Sequence, residues 1–220
     1  MKKLLTLIFI TQLLILSPFL TTGCKPAEQK EINDERMETG EELETAVFGG
    51  GCFWSIEAIF SLLKGVTDAE VGYAGGFKEN PTYEQVCQGN TGHAEVVKIT
   101  FDPNIISYSK LLEVFFYIHD PTTLNRQGND VGGQYRSIIL YTSPEQEKTV
   151  KEFIDELEKT EVYSDPIVTE VEPLDKYYKA EDYHQDYFKN NSIQPYCGAI
   201  ISPKVEDFQD RFADLLNEIP

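Results

Sequence analysis

The chain has 220 residues, 41% of them hydrophobic and 25% charged, with 12 Tyr and 13 Phe. That is globular composition and the length of one ordinary domain, which excludes wholesale disorder, collagen-like repeats and a multi-span membrane protein. Lys and Arg total 19 against 37 Asp and Glu, a net charge of −18. Nucleic acid and anionic lipid headgroups normally meet a basic excess, so both are poor partners for it.

Lys2 and Lys3 precede an apolar run from Leu4 to Leu20 that Pro18 interrupts. Small residues follow, then Cys24. This is the pattern of an export signal over residues 1–23 rather than of a spanning helix. Gly23-Cys24 resembles a bacterial lipoprotein cleavage site, in which Cys24 becomes the lipidated first residue. Thr21 stands where such sites usually carry Leu, so simple secretion and an uncleaved anchor are the alternatives. Residues 25–44 carry 8 acidic and 3 basic side chains and almost no large apolar group. Such a stretch buries too little surface to offset its ordering entropy, so residues 24–44 are expected to be a flexible acidic tether. The folded domain is expected over 45–220.

Thr45 to Phe48 reads as a short strand running into Gly49-Gly50-Gly51. Ile56, Ile59, Phe60 and Leu63 then fall at helical spacing, and Gly65 ends that helix. Asp68 to Tyr73 is a second strand, closed by Gly75-Gly76. Ala94 to Phe101 alternates Val97, Ile99 and Phe101 on one face and ends at the turn Asp102-Pro103-Asn104. Leu111, Val114, Phe115 and Ile118 mark the next helix, capped by Ser107. Arg136 to Tyr141 is a strand. Ser143-Pro144 opens a helix with a cap and a first-turn proline, whose stripe is Val150, Phe153, Ile154 and Leu157. Ile167 to Val171 is another strand, and Val205, Phe208, Phe212 and Leu215 suggest a C-terminal helix. The regions 72–92 and 119–135 read as long Gly-rich and polar loops. The whole predicts an α/β or α+β domain with a mixed sheet and helices packed on it.

The informative stretch is Gly49 to Glu57. A strand ends, three glycines allow a tight turn, and a helix begins at Cys52. Unpaired amides at a helix start are expected to stabilise a thiolate there and lower its pKa. The bland alternative is a small buried cysteine at a strand end. Glu57 lies about 140° around a regular helix from Cys52. Spacing alone therefore leaves open whether the two border one cavity. His93, His119 and His184 are scattered singly, with no metal-ligand spacing and no CxxC, so a zinc site is not expected and the histidines read as structural hydrogen-bonders.

Gly51-Cys52-Phe53-Trp54 with Glu57, Val71 to Gly76, Thr91 to Val97, His119-Asp120-Pro121, Arg126 to Asp130, Gln134 to Ser137, His184 to Tyr187 and Pro195-Tyr196-Cys197 together resemble the peptide methionine sulfoxide reductase A family. The blocks occur in the family's order over about residues 45 to 215. The fold implied is a two-layer α/β sandwich with a ferredoxin-like core. The activity implied is thiol-dependent reduction of methionine S-sulfoxide, free or in proteins.

The resemblance places Cys52 as nucleophile, Glu57 as the acid that protonates the sulfoxide oxygen, and Tyr73 and Tyr135 as phenols that hydrogen-bond that oxygen. It places Phe53 and Trp54 as the hydrophobic floor for the S-methyl group and Asp130 near the substrate cleft. Cys197 is the resolving cysteine it implies, since the family's resolvers usually come from this region; Cys87 reads as a bystander. The tail lacks the better-known pair of recycling cysteines, which leaves direct attack by an outside thiol in play. Oxidised proteins or free methionine sulfoxide, a thioredoxin-like reductant, and a membrane through a lipid anchor only are the partners implied, with no metal, flavin or nucleotide cofactor. A thiol peroxidase and a noncatalytic peptide-binding surface lipoprotein are the competing readings.

Overall fold

The computed structural model describes residues 42–217. The predicted export signal, Cys24 and nearly all of the predicted tether lie outside the described residues. The first strand, β1 (Glu44–Gly49), buries both faces: Ala46 and Phe48 point one way and Val47 the other. A strand apolar on both sides belongs at the centre of a sheet. β1 lies between β3 (Ala94–Phe101) and β6 (Ile138–Tyr141), antiparallel to both. β2 (Val66–Ala74) pairs with β3 on its other side, also antiparallel.

Helix α1 (Phe53–Phe60) joins β1 to β2, and α3 (Tyr108–Ile118) lies between β3 and β6. The unit β1-α1-β2-β3-α3-β6, with strands in the spatial order β6-β1-β3-β2, is the ferredoxin-like core. Two short strands extend it. β7 (Glu170–Pro173) adds parallel to β6, which makes the sheet mixed, and β8 (Tyr177–Lys179) adds antiparallel to β2. The predicted strand at 167–171 is therefore displaced toward the C-terminus. β8 was not anticipated; it is three residues long and only half-buried, too short for an alternation to show.

The main core lies between the sheet and its helices. Phe48 stacks on Phe115 at 4.9 Å between centroids and also meets Phe60 and Tyr108. The predicted caps form. The Ser107 hydroxyl accepts from the Lys110 amide, and the Ser143 hydroxyl from the Gln146 amide at the start of α4 (Pro144–Lys159). Within the predicted 72–92 loop a short helix forms, α2 (Tyr83–Cys87), where the Gln85 side chain accepts from the Thr82 amide. Within the 119–135 loop, β4 (Arg126–Gln127) and β5 (Asp130–Val131) make a small hairpin.

The segment after β8 is tied across the edge of the sheet. The Gln185 side chain accepts from the Val71 amide and donates to the Val71 carbonyl, both at 3.0 Å. This clamp lays residues 181–187 over the start of α1. A short helix α5 (Tyr187–Asn191), a π-helical turn (Cys197–Ile201) and α6 (Ser202–Arg211) complete the chain's path.

Phe48→Ala empties the centre of this packing. It is expected to cost about 3–5 kcal/mol, read as a lower midpoint with unchanged slope in urea unfolding.

Candidate active site

Cys52 is the residue that caps α1, with extended backbone (φ −61°, ψ 120°) and no side-chain bond to the helix. The glycines before it are required by contact. Gly51 has φ +101°, and a Cβ there would meet the Gln127 side chain at 2.7 Å. At Gly49 a Cβ would stand 2.7 Å from the Glu95 carbonyl, so the turn and β3 approach as closely as backbone allows.

That approach brings a carboxyl to the helix start. The Phe53 amide, the first of α1, donates to Glu95 Oε2 at 3.2 Å. Glu95 is 1% exposed, and its other oxygen, Oε1, is buried without a partner. Burial raises the carboxyl to about 8, opposed by the Phe53 amide and helped by Asp130. Glu95 is thus a neutral acid at neutral pH, with a proton to give and no acceptor among the described residues.

Cys52 lies close enough to Glu95 and Asp130 to feel each carboxyl when it is ionised. Burial and the Glu95 carboxyl push its thiol well above the usual range, against the helping Tyr196 hydroxyl and Trp54 amide. The lowering expected at an open helix start is not found: desolvation outweighs the helix amides and raises the thiol instead.

The structure also redistributes the predicted acid and phenols. Glu57 does not face Cys52. Its Oε1 accepts from the Asp186 amide at 2.7 Å and its Oε2 from the Tyr187 amide at 3.3 Å, and its acidic neighbours are Asp186 and Asp68. It anchors the start of α5. Its own rise to about 7 comes from burial, partly undone by those two amides. Five residues along a helix turned it to the other side, as the angular estimate allowed.

Tyr73 is opposite Glu95 in the β2–β3 ladder, but its hydroxyl donates to Glu181 Oε2 at 2.8 Å. Glu181 Oε1 accepts from the Tyr83 amide, so the Tyr73 hydroxyl helps to place α2, while burial, Glu181 and Glu95 push that hydroxyl up and its ring lies 5.9 Å from Phe53. The phenol that α2 supplies is Tyr83. Its ring lies parallel to Phe53 at 6.5 Å and against His184 at 4.3 Å, and burial with the Glu95 charge pushes its hydroxyl up. Tyr135, at the end of a tight turn over Gly133–Tyr135, feels Glu95, Asp130, Cys87 and Cys52.

Glu95 and Tyr83 are the residues that sequence reasoning missed, and both left a signal. Glu95 falls on the same face of its strand as Val97, Ile99 and Phe101, a carboxyl on a core-facing stripe. Thr82 and Gln85 stand at capping-box spacing around Tyr83.

Phe53 is fully buried and Trp54 half-buried. The Trp54 indole N–H donates to His184 Nδ1 at 3.1 Å, and its ring stacks on Tyr187 at 3.7 Å. These rings form an apolar wall beside Cys52. Asp130 Oδ2 accepts from the Tyr196 hydroxyl at 3.0 Å, which lies against the Cys52 sulfur. Cys197 is buried in the core at the first position of the π-helical turn, while Cys87 is exposed at the end of α2. All three described cysteines are free thiols.

The histidines hold structure. His119 bonds the Phe115 carbonyl and the Ser137 hydroxyl, and burial lowers it to about 4. His93 accepts from the Gly76 amide and donates to the Lys78 carbonyl. Among the described residues no group of three or more His, Cys, Asp or Glu is placed to hold a metal.

A family model described as peptide methionine sulfoxide reductase matches residues 44–216. The chain belongs to this family. It is 50% identical over 186 residues to peptide methionine sulfoxide reductase MsrA of Polynucleobacter asymbioticus, covering 84% of this chain and 96% of the relative. It is 56% identical over 172 residues to the MsrA of Saccharolobus solfataricus, covering 78% and 96%. Among solved structures, reduced Mxr1 of Saccharomyces cerevisiae aligns with a TM-score of 0.66 and 36% identity, over 70% of this chain and 89% of that one. Methionine sulfoxide reductase A of Corynebacterium diphtheriae aligns with 0.63 and 37%, over 69% and 76%.

The raised Glu95 carboxyl makes stability depend on pH in a fixed direction. Between about 4.5 and 8 the folded chain keeps a proton that the unfolded chain has released, so stability falls as pH rises through that window. Glu95→Gln is expected to flatten that slope in urea unfolding, leaving the part due to Glu57.

Proposed function

We propose the following chemistry for this chain, a thiol-dependent peptide-methionine (S)-S-oxide reductase that returns oxidised methionine to methionine and so repairs proteins. One observation carries it: beside Cys52 a buried carboxyl, raised to about 8 by burial, has one oxygen tied to the Phe53 amide and the other unpartnered. A sulfoxide is a poor electrophile until its oxygen is protonated or strongly hydrogen-bonded. Glu95 supplies the proton, and the Tyr83 and Tyr135 hydroxyls supply hydrogen bonds in a space shielded from water.

The Cys52 sulfur attacks the sulfoxide sulfur as the Glu95 proton moves to the oxygen. The oxygen, now a hydroxyl, passes from the methionine sulfur to the Cys52 sulfur, so that the S–O bond and the newly formed S–S bond at the methionine sulfur both break as the Cys52 S–O bond forms, and methionine leaves. Cys52 is left as a sulfenic acid. The proton lost by the thiol restores the Glu95 carboxyl, so the step is balanced without an outside acid. Ionisation of the thiol is unfavourable while Glu95 is charged and easier once Glu95 is neutral. Phe53 and Trp54 hold the S-methyl group against an apolar floor, and Asp130 borders the cleft.

A second thiol then condenses with the sulfenic acid, forming a disulfide and releasing water. Cys197 is the resolver. Tyr196, its neighbour, already lies against Cys52, and the π-helical turn that begins at Cys197 is a local irregularity of the kind that concentrates at functional sites. A thioredoxin-like dithiol reopens the disulfide and becomes oxidised in turn. Substrates are oxidised proteins and free methionine sulfoxide. Lys2, Lys3, the apolar run to Leu20 and Gly23-Cys24 support export to a bacterial cell envelope and a lipid anchor on Cys24.

Cys52→Ser is expected to abolish reduction of an S-sulfoxide substrate. Cys197→Ser should release one methionine per chain in a single-turnover assay yet stop thioredoxin-driven cycling; full cycling in that variant removes Cys197 as resolver. Glu95→Gln is expected to lower the rate by about a hundredfold or more, the scale of a lost general acid. In the unaltered enzyme kcat/KM should fall as pH rises past about 8, where Glu95 loses its proton. Persistence of that alkaline limb in Glu95→Gln counts against its role.

A further inference from the structure

Helix α2 has five residues, too few to hold its own shape in water. The direction in which Tyr83 points is therefore set by what α2 is tied to. The bond from the Thr82 amide to the Gln85 side chain is internal and moves with the helix. Val86 is fully buried and fixes how deep the helix sits. Apolar contact is non-directional, so it leaves the tilt free. The directional tie is the Tyr83 amide, which donates to Glu181 Oε1 at 3.0 Å from 98 residues away along the chain.

Glu181 reaches the sheet with its other oxygen. Oε2 accepts from the Tyr73 hydroxyl at 2.8 Å. Tyr73 is fully buried in β2 and stands opposite Glu95 in β3. Phenol and acid are thus referred to one rung of the sheet, Glu95 directly and Tyr83 through Glu181 and Tyr73. Burial opposes the charge of Glu181, but the Tyr83 amide, its own amide and the Tyr73 hydroxyl hold its carboxyl below the ordinary range. It is ionised at neutral pH, so both bonds are charge-assisted, the stronger kind.

Neither Glu181 nor Tyr73 takes part in the oxygen transfer described above. Yet a donor displaced by about 1 Å from its target can cost a reaction roughly a hundredfold, and this bridge is what holds the donor in place.

We propose that Glu181 positions the Tyr83 phenol for catalysis, bridging it to Tyr73 so that the donor and the Glu95 acid meet at one sulfoxide oxygen. The proposal deepens the function given above and rests on its assignment of Glu95 and Tyr83. Glu181 acts through Tyr83 rather than on the substrate.

The test is a double-mutant cycle. It reads the single-turnover rate of methionine release from the reduced enzyme at saturating methionine S-sulfoxide, which isolates oxygen transfer from disulfide recycling. Glu181→Gln is expected to lower this rate about tenfold, with the half-saturating substrate concentration changed by less than about twofold. Tyr83→Phe should lower it as well. In the Tyr83→Phe background Glu181→Gln should cost nothing further, because the hydroxyl that it places is gone. Tyr73→Phe removes one hydroxyl and leaves the carboxylate. It should show the same pattern on a smaller scale, and it decides the matter if Glu181→Gln does not fold. Losses that multiply in the double variant overturn the proposal, since the carboxylate would then be supporting the fold at large. An unchanged rate in Glu181→Gln overturns it too. An unchanged rate in Tyr83→Phe overturns the assignment of the phenol and the proposal with it. An unaltered enzyme inactive on the sulfoxide removes the proposed function itself, a different result.

Discussion

The site depends on one hydrogen bond, from the first amide of α1 to the buried carboxyl at the start of β3. It joins the helix capped by Cys52, the proposed nucleophile, to the strand that carries Glu95, the proposed acid. It also explains how a carboxyl survives in the core. A fully buried Glu without a donor would be costly in either protonation state. With one amide it is tolerable, and burial keeps it neutral. The glycine turn exists to make that contact, since a side chain at Gly49 would push the turn off β3.

Around this pair the chain builds two walls of different character. One is aromatic and continuous with the core, running from Phe53 and Tyr83 through His184 and Trp54 to Tyr187. The other is polar and made from loops, with Tyr196 bonded to Asp130. The first suits the methyl and methylene groups of a thioether, and the second the polar end of the molecule. The division fits a reductase whose substrate is apolar at its sulfur and peptide-like at its backbone.

Much of the framework was legible in the sequence because it follows from periodicity. The alternation over 94–101 and the stripe ending at Phe115 and Ile118 needed only burial on one face. The caps at Ser107 and Ser143 were equally local. β8 and α2 were not legible because they are held by distant partners, β2 and Glu181, and the 126–131 hairpin because its two-residue strands are too short for alternation to show. At the candidate site, Cys52, Tyr135 and Asp130 lie near enough to feel one another's charge. The Glu57 carboxyl and the Tyr73 hydroxyl turn to other partners, although Tyr73 lies across the ladder from Glu95. Neighbourhood along a helix or strand does not fix which way a polar group turns; Asp186, Tyr187 and Glu181, all more than a hundred residues away, decided that.

Glu57 has its own consequence for the catalytic cycle. By gripping the amides at Asp186 and Tyr187 it nails down one end of the C-terminal excursion, and buried Val205 and Phe208 nail down the other. Cys197, itself buried, therefore sits on a segment held at both ends. The proposed resolving step requires that segment to loosen, and its two fixed ends would confine the search of the tethered thiol, raising its effective concentration over that of dissolved thiols.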